Sequence, residues 1–340
     1  MDFTVFGNFS GPNIPALEWN SLVTEGITDV PFLRREYLSC WWETRGGGEW
    51  PQAELVLGIA RQAGRLVGIA PLFSAVNRDG LPALMLLGSI EISDYLDLIV
   101  APSDLAEFTS GLLDFLASSP DVPPWQVLDW HNLLDTSPTL PVLQAAAAAR
   151  GWKVSLQTTY HAPAIPLPGD FELYLAGIDK KQRHEIRRKM RRAAETGGVR
   201  WYIVEDPEEL DTAVDAFLAL MAQEPDKAAF LTPAMIRQMH LACRAAFENG
   251  WLQLAFMEVE DKKAAGYLNF DYLNRIWVYN SGIDRRFMEL SPGWVLLGNL
   301  LQWANEHGRS AFDFMRGTED YKYRFGGVDR FVMRALVSRH

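Results

Sequence analysis

Three stretches of the 340-residue chain hold side chains that could do chemistry. In residues 319–327, EDYKYRFGG, aromatic and basic residues alternate ahead of two glycines. An extended segment would send Lys322 and Arg324 to one side and the rings, Tyr321 among them, to the other. A lysine held at a sheet end could stabilise a developing oxyanion or bind phosphate. The plainer reading is a charged edge strand with an aromatic core face. In residues 283–303, a strand-forming run ends in Met288-Glu-Leu-Ser291-Pro-Gly293 and passes into a long apolar periodicity. Ser291 is placed as N-cap, Pro292 at the first helical position, and Gly293 where the backbone can be approached closely. The unpaired N–H groups of such a helix start suit a pyrophosphate, although an ordinary helix start needs no more than these residues. In residues 179–192, DKKQRHEIRRKMRR, helical spacing puts Lys180, Arg183, Arg187 and Arg191 on one face beside an apolar stripe of Ile186, Met190 and Ala193. Like charges at that spacing repel, so either acidic neighbours answer them or a phosphorylated or acidic partner docks there.

Asp94, Asp97, Asp271 and Asp313 lie in or beside strand-like runs. Each is a candidate general base toward an amine, although a hydrogen-bonded structural carboxylate is the more frequent role. The six histidines have no metal-ligand spacing, and G-x-S-x-G, G-x-x-x-x-G-K-[ST] and H-E-x-x-H do not occur, so no metal is expected. Cys40 and Cys243 are isolated and read as small core residues.

These residues must be positioned by a mixed α/β scaffold. The first half gives a helix in 31–45, with Trp41-Trp42 as aromatic anchors, then an antiparallel hairpin around Gln-Ala-Gly. Further strand-like runs LPALMLLGS and DYLDLIV, a helix over 103–118, the strand WQVLDWHNL, a helix closed by Gly151 and another strand follow. From about residue 165 a similar order recurs: helix 170–196, strand VRWYIVE, and a helix opened by Asp206 as N-cap. After a helix at 233–248, a hairpin turning at Glu-Asp-Lys-Lys leads to RIWVYNSGI, the helix 292–306, the strand SAFDFMRG and a terminal segment. The expectation is two related domains, 1–165 and 166–340, each a mixed, mostly antiparallel sheet flanked by helices. A net charge of −11 disfavours DNA, and no run of about 18 apolar residues or leader-like start is seen, which reads as a cytoplasmic chain without a transmembrane segment.

Residues 165–330, above all VYNSGIDRRFMELSPGW, the following helix and TEDYKYRFGG, resemble the GNAT-superfamily acyltransferases grouped with the cellulose-biosynthesis protein CelD, themselves similar to Fem peptidyltransferases. GRLVGIAPLF and SDYLDLIV look like parts of a first, degenerate GNAT unit. The resemblance implies tandem GNAT-like domains that transfer an acyl group, acetyl first among them, from acyl-CoA to an amine. The acceptor would be a small molecule or glycan precursor, such as an amino sugar for the cell envelope or exopolysaccharide. Of the GNAT turn Q/R-x-x-G-x-G/A only Gly293 agrees, whereas Tyr321-Lys322-Tyr-Arg-Phe325-Gly326 follows the Fem pattern F-K-x-x-F-G. By that resemblance Lys322 stabilises the oxyanion or substrate, Tyr321 or Asp94 moves the proton, and Arg286, Ser291 and Gly293 anchor the donor. Arg183, Arg187, Arg191 and Arg324 would dock phosphate, an acyl-carrier protein or a tRNA. Two alternatives stand beside this: a Fem-like transferase drawing on aminoacyl-tRNA, and an inactive GNAT-like scaffold binding a polysaccharide or synthase partner.

Overall fold

Alternating apolar runs, broken where residues enter left-handed conformations, build the first sheet. In the computed structural model, which describes residues 1–11 and 13–339, the elements run as β1 (Asp2–Phe6), α1 (Ala16–Thr24), α2 (Arg35–Thr44), β2 (Glu54–Gln62) and β3 (Arg65–Val76). Then come β4 (Pro82–Leu86), β5 (Ile99–Val100), α3 (Leu105–Ser118), β6 (Val127–Leu134), α4 (Thr139–Ala148) and β7 (Lys153–His161). The β2–β3 hairpin turns at Ala63 and Gly64, both at positive φ, as the Gln-Ala-Gly signal predicts. Trp41, Phe73, Phe108 and Trp130 are fully buried in this unit. DYLDLIV is mostly not strand. Only Ile99–Val100 pairs, with β3, because the buried Asp97 carboxylate is drawn into a cage of Thr28, Ser137 and Thr139 hydroxyls and the Leu98 N–H.

The second sheet is made from β8 (Ala164–Pro166), β9 (Val199–Ile203), β10 (Leu252–Val259), β11 (Lys262–Tyr272), β12 (Arg275–Ile283) and β13 (Ala311–Asp313), in the order β8-β13-β12-β11-β10-β9. Every neighbouring pair is antiparallel except β12–β13. Its helices are α5 (Phe171–Gly177), α6 (Lys180–Glu195), α7 (Leu210–Met221), α8 (Pro225–Phe230), α9 (Pro233–Glu248), α10 (Pro292–Glu306) and α11 (Asp320–Arg324). Strand alternation sorts the two cores. Ala255 and Met257 face α5, α6 and α10, while Leu254 and Phe256 face α7 and α9. The predicted stripe of α6 is its buried side, with Ile186 and Ala193 inside and Met190 seated where a Cβ on Gly298 of α10 would lie 2.8 Å from its sulfur.

Contacts divide the chain into Met1–Tyr160 with Phe331–His340, and His161–Arg330. The last strand, β14 (Phe331–Ser338), thus lies in the first sheet between β6 and β7, not with a domain running to residue 340. Two further expectations change. Asp206 does not cap α7: its carboxylate accepts the Glu208 N–H in a preceding turn, and the helix starts at Leu210. The segment at 319–327 is not extended, since α11 forms there and brings Tyr321 and Phe325 to one face. Local ion pairs stabilise that turn, Lys322 with Glu319 three residues earlier and Arg324 with Asp320 four earlier. Among the described residues no helix is long and apolar enough to cross a membrane.

Candidate active site

The parallel pairing of β12 with β13 covers only Arg275–Trp277 against Ala311–Asp313, yet β12 runs on to Ile283. The strands separate because Asp313, fully buried, accepts the Met315 N–H and is gripped by Arg330, with Arg275 at 3.7 Å. Met315 adopts a left-handed conformation there and turns the chain away. A cavity of about 380 Å³ opens on this end of β12, within the usual size range of a small-molecule site. Its walls come from Ser281 and Ile283 of β12, Tyr267 of β11, the start of α10, Tyr321 and Phe325 of α11, Lys189 of α6, and Glu224 and Lys227 at α8.

The start of α10 gives the cavity its donors. Ser291 holds the N-cap position, but in a left-handed conformation and without a capping hydrogen bond from its side chain. Pro292 has no N–H and the Val295 N–H bonds the Ser291 carbonyl, which leaves the N–H groups of Gly293 and Trp294 as the helix's orphan donors. The Trp294 indole N–H is also buried without a partner. A Cβ on Gly293 would meet Ile283 Cδ1 at 2.5 Å, so any larger residue there must displace the isoleucine side chain. Trp294 stacks obliquely on Phe325, ring centroids 4.6 Å apart, and carries the Lys189 ammonium 4.2 Å from its ring centroid.

The proton-handling groups stand opposite. Burial, reinforced by the nearby carboxylates of Glu319 and Glu224, drives the Tyr321 phenol far above its ordinary pKa, so it is an O–H donor at neutral pH. Tyr267, buried behind it, is raised in the same way by burial and by Tyr321. Lys227 donates to the Ser281 carbonyl at 2.7 Å and pairs with Glu224 at 3.1 Å. The lining therefore combines two ammonium groups, two carboxylates, two protonated phenols and aromatic faces.

Of the residues singled out from the sequence, Ser291, Gly293 and Tyr321 line this cavity. Lys322 lies beneath it, nearly fully buried, with its ammonium on Glu319 at 2.9 Å and on the Arg316 carbonyl at 2.6 Å. Arg286 is exposed and forks onto Asp284. Asp94 belongs to the first unit. Arg183 reaches the last carbonyls of α5, while Arg187, Arg191 and Arg324 pair at the surface with Glu172, Glu195 and Asp320. Acidic neighbours thus answer part of the repulsion along α6. Lys189, Trp294 and Glu319 lie inside the three stretches picked out from the sequence, whereas Glu224, Lys227 and Tyr267 have no local signal strong enough to mark them. Among the described residues no group of three or more His, Cys, Asp or Glu is placed to hold a metal ion.

Residues 180–323 match the family model of the acetyltransferase (GNAT) domain, a span that holds most of these lining residues. No curated protein sequence matches the chain. Among solved structures it is similar to FemX at 13% identity, covering 98% of this chain and 97% of that one, with a TM-score of 0.63. A conserved protein of unknown function from Bacteroides thetaiotaomicron is similar at 11% identity, covering 99% and 100% of the two chains, TM-score 0.62. The C-terminal domain of a putative lysylphosphatidylglycerol synthetase from Agrobacterium fabrum is similar at 11% identity, covering 94% and 92%, TM-score 0.51. At these identities the likeness is one of fold, and it extends over both units.

Proposed function

We propose that the second unit is an N-acyltransferase that moves an acyl group from a thioester such as acetyl-CoA to a primary amine. The observation that carries this is the convergence, in one cavity, of the uncapped N-terminus of α10 with the protonated phenol of Tyr321. The donor's carbonyl or nearest phosphate would be held by the Gly293 and Trp294 N–H groups, with Ser291 beside them and Lys189 as the nearest cation. The gap between β12 and β13 leaves the edge of β12 open to an extended acyl arm. Tyr321 donates its proton to the departing thiolate, and Glu224 and Glu319 favour a cationic or amine-bearing acceptor. An amino sugar or another cell-envelope or exopolysaccharide precursor, as in the CelD-like group, fits that chemistry.

A thermal-shift screen against acetyl-CoA, phosphopantetheine-loaded carrier protein and aminoacyl-tRNA tests the donor, because a ligand of the folded state raises the midpoint by mass action. Acetyl-CoA should stabilise the protein, and Tyr321→Phe should keep that shift while lowering turnover about 10²- to 10⁴-fold. Full turnover by the variant would remove Tyr321 from the mechanism. A second reading, transfer from aminoacyl-tRNA, is favoured by the exposed cations of α6 and the Fem-like TEDYKYRFGG. It requires a thermal shift with charged tRNA that salt abolishes.

A further inference from the structure

The geometry points to Glu319 as the group that takes the acceptor's proton, with Lys322 a positioning residue that holds the Glu319 carboxylate in place. This rests on the acyl-transfer reading and deepens it. Glu319 lines the cavity and its side chain is more than half exposed, so it can meet an incoming amine. Lys322 is in the opposite situation: its side chain is 4% exposed, does not line the cavity, and its donors are committed to Glu319 and the Arg316 carbonyl. A lysine enclosed in this way reaches the reaction through the carboxylate it grips.

Gly317 supplies an independent sign that the pair is built in. It sits at φ +119, and a Cβ there would lie 2.2 Å from the Glu319 carboxylate and 2.8 Å from the Lys322 ammonium. The backbone thus leaves out a side chain where the ion pair needs room. The charged and titratable groups around Glu319 are Lys322, Tyr321 and Tyr323 of α11, Glu224 and Lys227 at α8, and Lys189 of α6.

In the step itself, the nitrogen lone pair of the neutral amine forms the C–N bond at the thioester carbonyl, and that carbon's π pair moves to oxygen. The N–H proton passes to Glu319. Collapse breaks the C–S bond, the thiolate takes the Tyr321 proton, and Glu319 returns its proton to the phenolate through solvent. The products are an amide and a free thiol, with both side chains restored.

The test is thiol release from acetyl-CoA in the presence of primary amines such as glucosamine or free lysine, followed against pH for wild type, Glu319→Gln, Lys322→Met and Lys322→Arg. Glu319→Gln should lower kcat/KM about 10²- to 10⁴-fold and flatten the acid limb of its pH profile. Lys322→Met removes the grip that positions the carboxylate, so kcat should fall by up to about 10²-fold while the thermal shift with acetyl-CoA is kept, and Lys322→Arg should restore turnover. Wild-type turnover in Glu319→Gln, or in Lys322→Met, overturns the proposal. If Lys322→Met does not fold, the Glu319→Gln profile decides alone. No thiol release and no thermal shift with acetyl-CoA in the wild type would instead overturn the acyl-transfer reading itself.

Discussion

Gly293→Ala is the most direct probe of how β12 and α10 shape the cavity. The added Cβ would sit 2.5 Å from Ile283 Cδ1 and 3.1 Å from Cγ1, where carbon atoms ordinarily rest at about 3.5–4.0 Å. Roughly 1 Å must therefore be absorbed by the isoleucine or by the start of the helix, at the usual overpacking cost of about 1–3 kcal/mol. Alanine returns up to about 1 kcal/mol of helix propensity, so the expected net loss is about 0–2 kcal/mol. Ile283→Val removes the clashing Cδ1 and alone costs about 0.5–1.5 kcal/mol. The double variant should then be more stable than the sum of the single effects by at least about 1 kcal/mol, measured by urea denaturation followed through tryptophan fluorescence. The thermal shift with acetyl-CoA should weaken in Gly293→Ala and recover in the double variant, since the same displacement moves the orphan N–H groups. Additivity within about 0.5 kcal/mol would refute the packing argument.

Two further outcomes follow from buried polar contacts. Tyr174, 4% exposed, donates to the Phe325 carbonyl at 2.7 Å and ties α5 to the end of α11; Tyr174→Phe should cost about 1–3 kcal/mol by leaving that carbonyl unpaired. The measurement is again urea denaturation, and a loss below about 0.5 kcal/mol would mean that α11 is held by packing alone. In the first unit, burial pushes the Asp129 carboxyl up, but hydrogen bonds from His131, Arg334 and Asn77 outweigh it and hold the carboxyl well below its ordinary value. A carboxyl depressed on folding contributes stability that is complete above the unfolded pKa of about 3.9 and is lost as pH falls toward the folded one. Asp129→Asn should destabilise at pH 7 by about 1–3 kcal/mol, because it weakens the hydrogen bonds to Arg334, which keeps Asp79 as a partner, and should flatten the loss of stability below about pH 4. An unchanged acid-unfolding curve would sink that assignment.

Element type was legible in the chain wherever periodicity ran long. The start of α10 at Pro292, the α6 stripe and the hairpin at Glu260-Asp261 follow from residue patterns alone. Short or competing segments were not legible. Asp97 interrupts a promising strand through hydroxyls that come from two distant places in sequence, Thr28 and the Ser137–Thr139 turn, and Asp206 spends its carboxylate on a turn. At Tyr321 alternation alone suggested a strand, but ion pairs at helical spacing and the packing of Tyr321 on Phe314 and of Phe325 on Trp294 go with a helix. The same helical turn buries Lys322 and presents Glu319 and Tyr321 to the cavity, an inversion that spacing alone does not reveal.

By itself the sequence determined two α/β units, a basic helix, a Ser-Pro-Gly helix start and a separate aromatic and basic segment. Only the tertiary structure decided which of these meet. Lys189 from α6, Glu224 and Lys227 at α8, and Glu319 and Tyr321 at α11 share one cavity because β12 and β13 part after three paired residues. It also decided that the last strand returns to the first sheet. The physical reason is the range of the forces involved: periodicity records which face a residue turns to the core, whereas a site is made of side chains whose partners lie far away in the chain.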